Sequence, residues 1–193
     1  ARYYKDVTTE ISKKVEPISA ETILAGVNND GGLSGSYTVP GAYTVDAYRK
    51  FVKEAILKSP EAVNKDNWVM GGKADKGQAD GTVVKLVEDK YLNDYADNWR
   101  KFVRSIEIAK YESKEGAVES LRAFADTGSP MKKLLQEVAK QTNISAEPVG
   151  TGWIDSIMSY FTGKKSADNK ADTLVDKDFR PLFAFVDAKE DSP

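Results

Sequence analysis

The 193-residue sequence contains no cysteine and no histidine, and these two absences exclude much of enzyme chemistry. Without histidine the chain cannot supply a Ser-His-Asp triad, a Cys-His pair or an HExxH zinc site. Without cysteine it offers no thiolate nucleophile, no zinc knuckle and no iron–sulfur ligand. The sequence therefore predicts no metal site, no cofactor and no catalytic residue of these kinds, and carboxylates are the first remaining candidates, because acid-base catalysis by two acids needs neither residue type.

A strong net charge and long apolar runs are also absent. The chain has 28 basic and 30 acidic residues, a formal charge of -2, so no overall field draws it to nucleic acid. No apolar stretch approaches the roughly 18 to 20 residues that span a bilayer. We therefore expect no nucleic-acid partner and no direct membrane insertion by this segment. Because the chain begins at Ala1 with apolar residues already in helical register, we interpret it as a fragment.

The most prominent feature that is present is apolar spacing by threes and fours from about Thr82 to Ser113, typical of one long amphipathic helix. Its large rings recur at four-residue intervals, and a step of four residues turns a helix by about 400°, so the rings share one face. The stripe continues in aliphatic residues, which favours the chain's own core over a partner or a stacked ligand. The predicted structural core comprises Tyr91, Tyr95, Trp99, Phe102, Trp68, Leu134 and Leu135.

Shorter helices surround the long one in the prediction. One covers residues 2–14, another covers 45–58 behind the N-cap Thr44, and two more begin at the dipeptides Ser59-Pro60 and Ser129-Pro130. Residues 71–81 contain nothing larger than alanine to bury and are predicted to form a surface loop. A further short helix is expected over residues 153–161.

These patterns predict an all-α fold, a multi-helix array around one long central amphipathic helix, with at most one short extended pair near residues 33–44. Residues 1–193 are expected to form one helical unit, with a sub-boundary near residues 143–152.

Two kinds of catalytic or ligand site were weighed against this architecture. A P-loop at Gly163-Lys164 fails, because Met158 occupies the place of the required first glycine. Two-carboxylate chemistry could use Glu88 and Asp94 of the long helix. However, Asp94 lies four residues from Lys90, and a solvated face with spaced ion pairs explains that arrangement.

Several stretches carry a family resemblance in their order and spacing. They are Thr38-Val39-Pro40-Gly41 with Tyr43-Thr44 and Tyr48, then Asn67-Trp68-Val69-Met70-Gly71, then Leu86, Tyr91-Leu92, Asp94-Tyr95 and Trp99, and finally Ser129-Pro130, Leu134-Leu135, Val138 and Thr142. Over about residues 37–142 the chain thereby resembles the periplasmic part of the IcmF/TssM family, the large inner-membrane protein of type VI secretion systems.

The resemblance implies a non-catalytic structural module in the periplasmic segment of a bacterial inner-membrane protein. Its implied partners are other regions and copies of the parent protein and, at the level of the full trans-envelope complex, TssL and a TssJ-type lipoprotein. Two alternatives stay open. One is an envelope glycan hydrolase that uses Glu88 and Asp94. The other is the equivalent IcmF component of a type IVB secretion system.

Overall fold

The computed structural model of the chain describes residues 2–29, 32–68, 76–111, 113–125, 128–144 and 173–187. Its helices are α1 Arg2–Lys14, α2 Ala20–Leu24, α3 Val45–Ala47, α4 Lys53–Trp68, α5 Lys76–Arg104, α6 Lys114–Ala125, α7 Pro130–Thr142 and α8 Leu174–Asp187. A 3-10 turn, Gly41–Tyr43, precedes α3, and a π-helical turn, Tyr48–Val52, joins α3 to α4. Two strands, β1 Leu33–Gly35 and β2 Ile106–Ile108, pair antiparallel.

The predicted fold class is confirmed, since the chain is mostly helical with one small extended pair. Helix α5 is the long central element, and at about 1.5 Å per residue it extends about 44 Å. It packs against α4, α7 and α8, and against the 3-10 turn. The predicted helix over 153–161 and most of the predicted boundary at 143–152 lie outside the described residues.

The ends of α5 differ from the prediction. The helix begins at Lys76 rather than near Thr82, so residues 76–81 are not the loop that was expected. Two glycines in this first part lower helix propensity by about 1 kcal/mol each. Gly81 is nevertheless buried, and tertiary packing of this kind routinely overrides local propensity.

At its other end α5 stops at Arg104, and the predicted continuation to Ser113 is wrong. The Ser105 hydroxyl donates to the Phe102 carbonyl at 2.7 Å and accepts from the Tyr37 amide at 3.2 Å, which ties the helix end to the preceding loop. The next residues alternate Ile-Glu-Ile, a period that suits a strand. The extended pair therefore has one strand in the expected region, while its partner follows the long helix.

The two Ser-Pro dipeptides behave differently. Ser129 and Pro130 begin α7 as predicted, and the Ser129 side chain accepts from the Lys132 amide. By contrast, Pro60 lies inside α4, so the predicted helix break at Ser59-Pro60 is wrong and the helix over 45–58 continues to Trp68. Pro60 lacks the N–H that would bond the Ile56 carbonyl, and the buried Ser59 hydroxyl donates to that carbonyl instead, at 2.7 Å.

Helix α8 belongs to the same core as the rest of the described helices. It packs on α5 and α7, with Val175 fully buried and Phe179 8% exposed. An ion pair between Arg100 and Asp178 joins it to α5 at the surface. Residues beyond position 173 therefore contribute to the packing around the long helix.

Replacing Gly41 by alanine is expected to destabilise the fold strongly. A Cβ at this position would lie 1.8 Å from the Val15 carbonyl oxygen, and main chain cannot move aside as a side chain can. We expect a loss of about 3 kcal/mol in the free energy of unfolding, at the upper end for overpacking, measured by urea denaturation. Gly128 is the matched control, because a Cβ there meets nothing within 4 Å. Equal effects of the two alanines would contradict this account.

Replacing Phe179 by alanine tests whether α8 stabilises the whole unit. Deleting a buried phenylalanine ring costs about 3 to 5 kcal/mol in a well-packed core. We expect a single unfolding transition with a lower midpoint, followed by circular dichroism and by tryptophan fluorescence. The exposed Lys177 of the same helix provides the alanine control. Two separate transitions would show instead that α8 unfolds independently.

Candidate functional site

The aromatic rings of α5 meet rings from the 3-10 turn and the π-helical turn, and we call this cluster the aromatic seam. Tyr91 stacks between Tyr43, with ring centroids 5.7 Å apart, and Tyr48, with centroids 5.8 Å apart. The seam comprises Tyr43, Tyr48, Tyr91, Tyr95, Trp99 and Phe102. Because the four α5 rings follow one another at three- or four-residue spacing, a single helix face presents them all.

Each polar ring of α5 uses its hydroxyl or indole nitrogen as a donor to a main-chain carbonyl on another element. The Tyr91 hydroxyl donates to the Ala42 carbonyl at 2.8 Å, and the Trp99 indole donates to the Tyr43 carbonyl at 2.9 Å. The Tyr95 hydroxyl donates to the Gln141 carbonyl at 2.6 Å. The seam therefore fixes the 3-10 turn and the end of α7 to the long helix.

The seam leaves no room for a ligand to stack. The side chains of Tyr91, Tyr95, Trp99 and Phe102 are between 0% and 1% exposed, so no open groove runs along them. Of the other residues predicted as core, Leu134 is buried in α7 and Leu135 is half-buried beside it. Trp68 is the last residue of α4, and its side chain lies outside the described part of the chain.

Gln141 contributes to the seam but was not among the predicted core residues. Its side-chain oxygen accepts from the Val45 amide at 2.9 Å, while its own carbonyl accepts from Tyr95. Buried glutamines are uncommon, and nothing in the local pattern marks this one. The neighbouring Thr142 lies at the end of the apolar stripe of α7, which is a weak indication that this end of the helix is buried. Only the approach of α3 reveals the role of the glutamine.

The two carboxylates considered for catalysis do not converge. Glu88 is 7% exposed, whereas Asp94 is partly exposed, forms an ion pair with Lys90 at 3.0 Å and accepts from the Tyr4 hydroxyl at 2.7 Å. Six residues along a helix rotate a side chain by about 600°, which leaves these two about 120° apart around α5. A glycosidase instead needs two carboxyl groups that face one substrate.

A groove of about 400 Å³ lies between α1 and α4 and includes neither of those carboxylates. The lining residues are Tyr3, Asp6, Val7, Glu10, Ile11, Lys14, Phe51, Glu54, Ala55 and Lys58. Hydrogen bonding from Lys13 lowers the pKa of Glu10, and hydrogen bonding from Lys58 lowers that of Glu54. A general acid requires the opposite shift, so neither Glu10 nor Glu54 is suited to act as the acid in glycoside cleavage.

Neither a metal cluster nor a membrane-spanning element is found among the described residues. No three carboxylates there are grouped so as to hold an ion. Likewise, none of the described helices combines the length and apolar character needed to cross a membrane.

Comparison with known proteins identifies relatives of the chain. Residues 1–143 match the family described as IcmF-related, Intracellular multiplication and human macrophage-killing. Over 104 residues, 54% of the chain, it is 24% identical to the Type VI secretion system component TssM1 of Pseudomonas aeruginosa, covering 9% of that protein. A solved Type VI secretion system membrane core complex aligns with 98% of the chain and 36% of its own chain, at a TM-score of 0.61 and 16% identity. The chain thus spans only a minor part of each relative, and the structural likeness concerns the fold.

Three tyrosines at or beside the seam are expected to make the protein sensitive to alkali. Burial raises the pKa of Tyr91 well above its ordinary value, and burial also raises the pKa of Tyr43. Burial, reinforced by hydrogen bonds with Tyr43 and Asp94, raises the pKa of Tyr4. The unfolded chain releases these protons near pH 10 while the folded chain retains them. The contribution of these tyrosines to stability is therefore complete below about pH 10 and falls above it, by at most about 1.4 kcal/mol per pH unit for each tyrosine.

Urea denaturation from about pH 9 to pH 11 measures this slope, and Tyr91→Phe should make it shallower by roughly one tyrosine's share. Tyr111, which is 41% exposed, supplies the matched phenylalanine control. A slope that Tyr91→Phe leaves unchanged would contradict the assignment.

Proposed function

Because this chain belongs to the IcmF-related family, we propose that it is a non-catalytic scaffold module of a type VI secretion trans-envelope complex. In this role its helices hold a fixed shape and present surfaces to neighbouring parts of the assembly. The observation that carries the proposal is the aromatic seam, where the large rings of the longest helix are buried and their donors are taken up by main-chain carbonyls. Such a core stabilises a rigid body and offers no reaction site.

The choice of secretion class follows the names of the relatives. Both the Pseudomonas aeruginosa protein and the solved complex are named for type VI secretion, which supports that class over the type IVB alternative. By the same likeness we propose that the segment is periplasmic. Its proposed partners are other regions and copies of the parent protein, together with TssL and a TssJ-type lipoprotein within the full complex.

The extent of the module is also a proposal. The family match ends at residue 143, whereas α8 contributes Val175 and Phe179 to the common core. We therefore propose that residues 1–193 act as one helical unit, with the seam residues as its structural core.

The glycan hydrolase alternative is disfavoured by the chemistry of the acids. Glycoside hydrolysis requires one carboxyl group with a raised pKa close to a second that is ionised. Glu88 and Asp94 diverge around α5, and the groove glutamates have lowered pKa values beside lysines. The scaffold role demands none of these arrangements.

Secretion assays with carboxylate variants of the full-length parent distinguish the two functions. Asp94→Asn and Glu88→Gln preserve side-chain shape, and removing the exposed Lys90 pair costs at most about 1 kcal/mol. We expect type VI effector secretion to stay within about twofold of the wild-type level, because a scaffold does not use the charge of either carboxylate in a reaction.

Trp99→Ala is the comparison variant, because deleting this fully buried ring should unfold the module and abolish both assembly and secretion. Complex assembly is followed by co-purification of the tagged parent from its native envelope. Loss of secretion in a carboxylate variant that still folds and co-purifies with the complex would refute the scaffold function and favour catalysis.

A further inference from the structure

Helix α6 exposes apolar side chains on its outer face. Val118 is 47% exposed and Leu121 is 61% exposed. The two residues are three positions apart, so their side chains are neighbours on the same face of the helix. The inner face of the same helix packs toward α7 and buries Ser120. Helix α6 thus leaves two aliphatic side chains uncovered on its outer face, beyond what an ordinary surface helix exposes, while Ser120 is buried on the inner one.

Two charged residues flank this apolar centre along one side. Glu115 and Arg122 are exposed, lie seven residues apart, and form no ion pair with any other residue in the ranges that the structure describes. Their order, acidic in the first turn and basic in the last, suits the helix dipole. The dipole accounts for the order of the charges but gives no reason for the exposed Val118 and Leu121.

A heptad assignment connects the charges with the apolar residues. With Val118 at position a and Leu121 at position d, both Glu115 and Arg122 fall at position e. Residues at e border the a/d stripe, so they contact a helix that packs on it. The other border, position g, holds the uncharged Ala117 and Phe124. The charged residues that border the stripe in α6 therefore all lie at position e, on one side of it.

We propose that the outer face of α6 binds the α6 of a second copy of this chain in an antiparallel pair. In an antiparallel pair the e positions of the two helices face each other, which places Glu115 of each copy beside Arg122 of the other. Val118 of each copy then covers Leu121 of the other. The pair has two-fold symmetry, so one self-complementary surface forms two apolar contacts and two ion pairs.

The parallel arrangement lacks this complementarity. There each e position faces the g position five residues earlier on the partner, so Arg122 would face the uncharged Ala117 and Glu115 would face no residue of α6. The surface therefore selects orientation through its charges. This proposal deepens the scaffold function by naming one contact between copies of the module, and it concerns association of the chain itself.

The contact is small, since α6 has 12 residues and Lys114 occupies the d position before Val118. An isolated pair of chains should associate weakly, as interfaces well below the standard size do. Within an assembly that already holds several copies together, the same contact becomes intramolecular and is strengthened by effective concentration.

Sedimentation equilibrium of the 193-residue chain at low salt, up to about 1 mM, tests the pair in the range where such small interfaces associate. We expect a concentration-dependent dimer for the wild-type chain. Leu121→Glu should abolish it. Glu115→Arg and Arg122→Glu should each weaken it at least about tenfold, because each single variant places like charges at both e contacts.

The double variant Glu115→Arg/Arg122→Glu has the same net charge as the wild type and should restore the dimer, because each new arginine then faces a new glutamate. Circular dichroism and the thermal midpoint verify that every variant is folded. A wild-type chain that stays monomeric, a Leu121→Glu chain that dimerises normally, or a folded double variant that fails to dimerise would each overturn the proposal. None of these results bears on the carboxylate secretion test, so the two proposals fail separately.

Discussion

The fold depends on donors of buried aromatic side chains that reach main-chain carbonyls on neighbouring elements. A carbonyl in a helix's last turn has no partner inside that helix, and leaving it buried without one costs about 1 to 3 kcal/mol. Gln141 is in this position at the end of α7, and the Tyr95 hydroxyl satisfies it at 2.6 Å. Tyrosine and tryptophan suit the task because one side chain supplies both apolar area and a donor. These hydrogen bonds fix the positions of the other elements along the axis of the long helix, and the shape of the folded unit follows from them.

The sequence predicted burial best where burial depended on the spacing of residues along a single helix face. The four-residue spacing of Tyr91, Tyr95 and Trp99 predicts their common side, and the structure places all three under 2% exposure. The spacing does not reveal what covers that side. Tyr43 and Tyr48 stack on Tyr91 from a 3-10 turn and a π-helical turn on either side of α3, which no local spacing predicts. Local periodicity thus predicted the four rings of the seam that lie on α5 and not the two that pack on them.

The predictions were wrong where one short sequence pattern is compatible with two local structures. Ser59-Pro60 and Ser129-Pro130 are the same dipeptide, yet one lies within a helix and the other starts one. A serine hydroxyl can cap a helix start, or it can satisfy the carbonyl that a proline leaves without its N–H donor. Which of these occurs depends on whether the preceding turn is itself packed, as Ile56 is. Similarly, the Ile-Glu-Ile segment became a strand because β1 was available beside it, a contact that no local pattern encodes.

A rigid core and an outward apolar helix serve complementary needs in a scaffold. If the module deformed easily, a weak contact between copies would reorient only part of it, and the distance between its two ends would not be fixed. With the core fixed by directional hydrogen bonds, the orientation of α6 is transmitted to the whole unit. In the proposed assembly a weak contact is then sufficient, because neighbouring copies would already be held close together and only their orientation has to be selected. Charges at the border of such a contact select its orientation, since Glu115 and Arg122 pair with each other in the antiparallel arrangement and have no oppositely charged partner on α6 in the parallel one.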